Sequence, residues 1–260
     1  MRPAARIGAL ALIAALGAIA AQAQIAEADR KSGSAFMSAQ TQQMQRDDGA
    51  NPAMLTALDG ESLWKTKTGG AAKSCADCHG EAQTSMKGVA ARYPAFNEAS
   101  KTPIDLQGRI NLCRQDQQKA TPLAPESRDL LALSAFIGLQ SRGMPTAPPE
   151  DPRLTPFRER GRALWSQRMG QLNFSCAQCH DDNWGKHLGS APIPQAHANA
   201  YPIYRLEWQG MGSLQRRLRN CMSGVRAQAF PYGAQEFVEL ELYLAERARG
   251  MPVETPGVRP

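Results

Sequence analysis

The sequence predicts a mainly α-helical chain built from two tandem copies of one helical unit. Three observations lead there. A five-residue cysteine motif occurs twice, the residues around each occurrence match in order and spacing, and no run of alternating apolar and polar residues competes with the helical patterns.

Met1 to Ala23 reads as a secretion signal. Arg2 and Arg6 form a basic start, Ile7 to Ala21 is unbroken apolar sequence, and Ala21-Gln22-Ala23 supplies a small-x-small cleavage pattern. That stretch is shorter than the ~20 residues a membrane-spanning helix needs. No later segment is apolar enough to cross a bilayer, so the expectation is a soluble, exported protein of the periplasm, cleaved near Ala23. Losing Arg2 and Arg6 lowers the formal charge from +6 to +4. Such mild basicity suits anionic small molecules or acidic partner surfaces. No basic tract is interleaved with aromatics, which argues against nucleic acid. Residues 24–50 are polar and weakly patterned, and are expected to form an extended arm or a frayed helix.

The first copy is assigned to residues 51–148 and the second to 149–260, with the Pro-rich stretch TAPPEDPRLTP between them. Each copy opens on Gly-x-x-Leu-Trp, at Gly60 to Trp64 and Gly161 to Trp165, and reaches its motif after the same gap. Tyr93-Pro94 answers Tyr201-Pro202, and the same distance again separates each tyrosine from Cys113 or Cys221. Both copies close on Arg-Gly-Met-Pro, at Arg142 and Arg249, which reads as a turn. In the last helix of copy two, Phe237, Leu240 and Leu244 share one face, and the glycine of the opening helix lets it cross that last helix closely.

The motifs are CADCH (Cys75, Cys78, His79) and CAQCH (Cys176, Cys179, His180). Cys-x-x-Cys-His is the attachment signature of c-type haem: two thiols add to the porphyrin vinyl groups, and the histidine reaches the iron. A thioredoxin-like redox pair or half of a zinc site would also use paired cysteines. Two matches, each followed by histidine in an exported chain, favour two covalently bound c-type haems.

Cys113 and Cys221 remain. Asp105 and Ser213 are matching N-cap candidates. After them, Leu106, Ile110 and Cys113 fall at i, i+4 and i+7, as do Leu214, Leu218 and Cys221, so each thiol belongs on the buried face of a short helix. Arg109 and Arg217 sit one turn earlier. Recurrence at this position favours the two cysteines as second axial ligands of the irons. A Cys113–Cys221 disulfide, a Met144/Met251 pair and the spare histidines His187 and His197 remain alternatives. An anionic sulfur ligand stabilises ferric iron and lowers the potential, which suits a sulfur-handling site better than a shuttle. Arg216, Arg217 and Arg219 surround Cys221 where copy one has Gly108, Arg109 and Asn111, so copy two is expected to carry the chemistry.

Each copy resembles a cytochrome c domain, and the whole resembles the SoxA family, the dihaem subunit of the SoxAX complexes of bacterial thiosulfate oxidation. The tandem CxxCH motifs, a cysteine after each, and the arginine four residues before the last one carry that resemblance over nearly the whole mature chain. It implies an L-cysteine S-thiosulfotransferase that joins thiosulfate to a cysteine of the carrier SoxYZ, with electrons leaving through the haems and a monohaem SoxX subunit as heterodimer partner. It implies His79 and Cys113 as ligands of haem one and His180 and Cys221 as ligands of haem two. Arg217 would bind substrate, and Cys221 would carry sulfur as a persulfide. A guanidinium fork suits the oxygens of the thiosulfate dianion. A plain dihaem electron carrier and a dihaem peroxidase are the other classes open to two such motifs.

Overall fold

The computed structural model describes residues 25–260, so the expected secretion signal lies outside the described residues. The chain begins with an arm of two 3-10 turns, Glu27–Asp29 and Gly33–Phe36, and helix α1 (Ala39–Arg46), which Ser38 caps by accepting from the Thr41 backbone N–H. The first half follows as α2 (Ala53–Lys65), α3 (Cys75–His79), α4 (Ala82–Ser85), β1 (Ala95–Asn97), β2 (Thr102–Ile104), α5 (Leu106–Cys113) and α6 (Arg128–Leu139). The second half repeats the order without a counterpart of α4 and with additions: α7 (Thr155–Ser166), α8 (Cys176–His180), β3 (His187–Leu188), β4 (Ala191–Pro192), β5 (Ile203–Arg205), β6 (Gly210–Gly212), α9 (Leu214–Gly224), α10 (Gln235–Arg247) and β7 (Gly257–Arg259).

Each half is organised by one helix crossing, and the expected glycine sits at its centre. A Cβ on Gly60 would run into the Ala132 carbonyl of α6, and a Cβ on Gly161 would run into the Glu239 carbonyl of α10. Only a residue without a side chain lets these backbones approach so closely. Trp64 and Trp165 then bury against Phe136 and Tyr243, with ring centroids 6.0 and 6.1 Å apart. These pairs anchor the two cores, Trp64 with Ile110, Leu130 and Leu133, and Trp165 with Leu218, Phe237 and Leu244.

The duplication reaches the backbone. Gly69 and Gly170 both take positive φ and both pack where a Cβ would meet a carbonyl, of Gln118 and Val225 respectively. Tyr93-Pro94 and Tyr201-Pro202 are both cis. Asp105 and Ser213 cap α5 and α9 as expected, accepting from Gly108 N–H at 2.6 Å and Arg216 N–H at 3.1 Å.

The halves meet around a local two-fold relation. The two Arg-Gly-Met-Pro segments lie antiparallel with Pro145 opposite Pro252. Gly143 N–H donates to the Val253 carbonyl and Gly250 N–H to that of Thr146, each at 2.8 Å. The segments are therefore more than turns: each supplies the other's hydrogen bonds. A third core, with Ala53, Ala57, Leu131 and Ala135 from the first half and Met211 from the second, continues across the junction.

The short strands escaped the sequence reading because two or three residues cannot show an alternation. Among them, β5 pairs antiparallel with β6 and parallel with β7, which brings the end of the described chain beside Arg205.

Candidate active site

The two motif helices start at their first cysteine because of reciprocal capping. Ser74 Oγ accepts from Asp77 N–H at 3.0 Å while Asp77 Oδ2 accepts from Ser74 N–H at 2.8 Å. Ser175 and Gln178 make the same pair of bonds at 3.2 and 3.0 Å. Each box satisfies two helix-end donors. A tryptophan backs each histidine, with centroids 5.6 Å apart for Trp64 and His79 and 5.7 Å for Trp165 and His180.

In the second half, the Pro194 carbonyl lies 2.7 Å from His180 Nδ1. A carbonyl can only accept, so Nδ1 carries the proton and Nε2 keeps its lone pair for a metal. Behind the ring, Trp165 donates its indole N–H to Asp181 Oδ2 at 2.6 Å. Asp181 also pairs with Arg247 at 2.6 Å, with side chains 7% and 4% exposed, and the Arg247 guanidinium lies 4.4 Å over the Trp165 ring. The first half has Gly80 and Gln140 at those two positions, and Trp64 donates to the Gly80 carbonyl instead.

Helix α9 brings Cys221 to this histidine. A cavity of about 180 Å³ is lined by Trp165, Cys176, His180, Tyr201, Arg217 and Cys221 among others. Cys221 and His180 line it together, the thiol from α9 and the imidazole from α8. Burial alone pushes the Cys221 thiol up, but His180 beside it and the charges of Arg217 and Arg205 outweigh this and bring it down to about 7. Cys176 lines the same cavity without those partners, and is pushed up to about 12 by burial first and by the Cys221 charge second. Of these two thiols, Cys221 is therefore the one poised as a thiolate. Burial opposes the charge of Arg217, yet the neighbouring Cys221 and Tyr201 hold it above the usual arginine value. Arg217 forms no ion pair among the described residues, and it faces the cavity.

The expected charge cluster is corrected by the structure. Arg216 lies 4.2 Å over the Trp208 ring and donates to the Met211 carbonyl at 3.1 Å. Arg219 lies 4.6 Å over Tyr232 and donates to the Phe230 carbonyl. Both sit on other faces of α9, because of the three arginines only Arg217, four residues before Cys221, shares its face. The further cations at the cavity are Arg205 and Arg259, which the sequence reading missed. Arg205 comes from β5 and Arg259 from β7, far from any cysteine in sequence. The tyrosine at a repeated position, Tyr201, was visible but was not assigned a role.

In the first half, Cys113 lies close enough to Cys75 and Cys78 for their charges to interact, and burial raises Cys113. Arg109, the counterpart of Arg217, is exposed. Cys113 and Cys221 are both free, each beside its own motif. His187 is exposed on β3. His197 borders the cavity but is tied to Gln195 Oε1 at 3.2 Å. Met144 and Met251 belong to the junction ladder.

The donor set fits haem: two thiols on one helical turn, an imidazole with a free Nε2, a facing thiol, and the apolar walls Leu218, Leu244 and Ile203. A family model described as the SoxA/TsdA cytochrome c domain matches residues 59–146 and again residues 160–253. Over 88% of its length the chain is 40% identical to the L-cysteine S-thiosulfotransferase subunit SoxA of Pseudaminobacter salicylatoxidans, covering 80% of that relative. The chain belongs to the SoxA family. It is likewise 36% identical to SoxA of Paracoccus pantotrophus, over 88% of this chain and 78% of that one. A chain of the SoxXA crystal structure from P. pantotrophus superposes with a TM-score of 0.86 at 34% identity, covering 89% of this chain and 87% of that one. As a member of the SoxA family, the chain is a c-type cytochrome with its haem domain present twice. No helix among the described residues is long and apolar enough to cross a membrane.

Proposed function

We propose that this chain is a periplasmic dihaem subunit that oxidatively joins thiosulfate to a cysteine of a SoxYZ-like carrier, in a heterodimer with a SoxX-like monohaem cytochrome. The observation that carries this reading is the grouping of Cys221, His180 and an ion-pair-free Arg217 in one cavity. The name of the relatives, L-cysteine S-thiosulfotransferase subunit SoxA, supports the activity, and the SoxXA title supports the partner.

Cys75, Cys78, His79 and Cys113 would hold the first haem. Cys176 and Cys179 would hold the second, with His180 and Cys221. When bound, the haems supply one-electron acceptors. The protein does the rest. Arg217 grips two sulfonate oxygens of thiosulfate and aims its terminal sulfur at Cys221, which carries sulfur as a persulfide. Arg205, held by the Pro260 carbonyl at 2.8 Å and paired with Glu207 at 2.7 Å, lines the same cavity. The carrier thiol and thiosulfate form one S–S bond, and two electrons and one proton leave. The proximal proton stays on His180 Nδ1, fixed by Pro194.

A peroxidase needs one iron open on its far side, whereas here a thiol faces His180. A plain carrier gives no reason for a cation without an ion pair beside that thiol.

The test is thiosulfate-dependent haem reduction with purified SoxX-like and SoxYZ-like proteins. Reduction that requires the carrier cysteine supports the reading. Reduction that proceeds equally without the carrier refutes the conjugation.

A further inference from the structure

A second cavity, of about 120 Å³, lies on the junction between the halves. Its walls come in repeat-related pairs: Ala90 with Ala198, Tyr93 with Tyr201, Leu106 with Leu214. The symmetry fails at two related positions. Asp105 of the first half corresponds to Ser213 of the second, and Glu241 of the second corresponds to Ser134 of the first. On one side of the cavity two carboxyl groups therefore stand where the related side has two hydroxyls.

The two carboxyls form a linked pair. Gln215 donates from Nε2 to Asp105 Oδ2 at 3.0 Å and also hydrogen-bonds Glu241. Its amide is oriented by Gly233 N–H, which donates to Oε1 at 2.8 Å, so the NH2 end faces the acids. Neither acid has an ion-pair partner among the described residues, whereas the buried Asp181 and Glu239 are paired with Arg247 and Arg160. Burial drives both Asp105 and Glu241 upward, and the Asp105 charge raises Glu241 further. Two like charges sharing one desolvated site oppose each other, so the linked pair favours taking up a proton.

The surroundings connect this pair to the haem pockets. Tyr201 lines both this cavity and the one containing Cys221 and Arg217, and Tyr93 is its counterpart. The other charged group nearby is Glu126, whose Oε2 accepts from Ser213 N–H at 3.4 Å. Arg217 lies beyond Tyr201. No cation on α5, α9 or α10 contacts the pair directly.

We infer that Asp105 and Glu241 form a proton-storing site between the two haem pockets, which binds proton as the haems gain electrons and releases it as they lose them. Only O–H bonds form and break there. The electrons come from the haem redox change itself, and the proton exchanges with solvent. In turnover the site would receive the proton released by S–S bond formation, a role that rests on the proposed conjugation. The storage itself does not depend on it.

The test uses the full chain carrying both haems, without thiosulfate or carrier, so that failure of the sulfur chemistry cannot mask the result. Haem potentials are titrated across pH, and infrared difference spectra are taken between oxidised and reduced protein. The expected result is a potential that falls as pH rises near neutrality, together with a protonated-carboxyl band that changes on reduction. In Glu241→Gln the pH slope flattens and the band is lost, while both haems remain by intact mass. Asp105→Asn, which retains the helix cap, repeats the measurement independently and serves alone if Glu241→Gln does not hold both haems. A wild-type slope and band that persist in the variants, or a wild-type protein without either, overturns the assignment.

Discussion

Cys221 and His180 reach one cavity from different helices, with Arg217 one turn before the thiol on the same wall. Under the proposed function this arrangement would make the second half the reactive one. Arg217→Ala should lower carrier-dependent turnover by about 100-fold or more, the scale expected when one partner of a buried charge contact is removed. Cys221→Ala should abolish turnover and alter the spectrum of one haem alone. Arg109→Ala should retain most activity, because Arg109 is exposed. Equal losses from Arg109→Ala and Arg217→Ala, with both haems bound, would contradict the asymmetry.

The crossing of α7 on α10 yields a stability prediction. In Gly161→Ala the new methyl meets the Glu239 carbonyl, a backbone group that cannot swing aside. The expected loss is about 1–3 kcal/mol in denaturant unfolding, the range for overpacked contacts. A change within about 0.5 kcal/mol, the usual scatter of a surface substitution, would mean the helices can separate without cost.

The Asp181–Arg247 pair behind His180 should prove costly to break and cheap to replace. Arg247→Leu alone strands a buried carboxylate and should cost about 3–5 kcal/mol. Combining it with Asp181→Asn should recover most of that loss, since the first half manages with Gly80 and Gln140. Thermal melts of the two variants decide the matter: equal melting points would exclude the stranded charge as the cause.

His197 gives an acid-lability prediction. Burial first, then the charges of Arg247 and Arg30, depress its imidazole to about 4. The unfolded chain binds that proton near pH 6.5, so stability from the neutral ring is complete above about 6.5 and drains as pH falls toward about 4. The full effect is at most roughly 3 kcal/mol. His197→Gln should flatten the melting-temperature profile across that window, and an unchanged profile would assign the acid loss to other groups.

Much of this architecture was legible in local pattern. Gly60 and Gly161, the capping residues Asp105 and Ser213, and the i, i+4, i+7 placement of both late cysteines each encode their own surroundings. Arg205 and Arg259 were not legible, because they reach the cavity through the β5–β7 pairing of segments far apart in sequence. Arg216 and Arg219 misled for the opposite reason. Nearness in sequence to Cys221 put them on its helix, while helical rotation aimed them at Trp208 and Tyr232. The Asp105–Glu241 pair needed both halves docked before either acid acquired its neighbour.

The arm that precedes the first half does not stay with it. Lys31 N–H donates to Gln195 Oε1 at 2.6 Å, Ser34 donates to Glu254 at 3.0 Å, and Gly33, Phe36 and Met37 help wall the cavity that holds Cys221. The two units are thus threaded through one another like a laced seam. A cut in the Pro-rich connection would not yield two self-sufficient cytochromes, because the later unit would be born without part of its wall. Ribosomal order makes that wall first, so the segment waits on the growing chain until the unit it encloses has been synthesised.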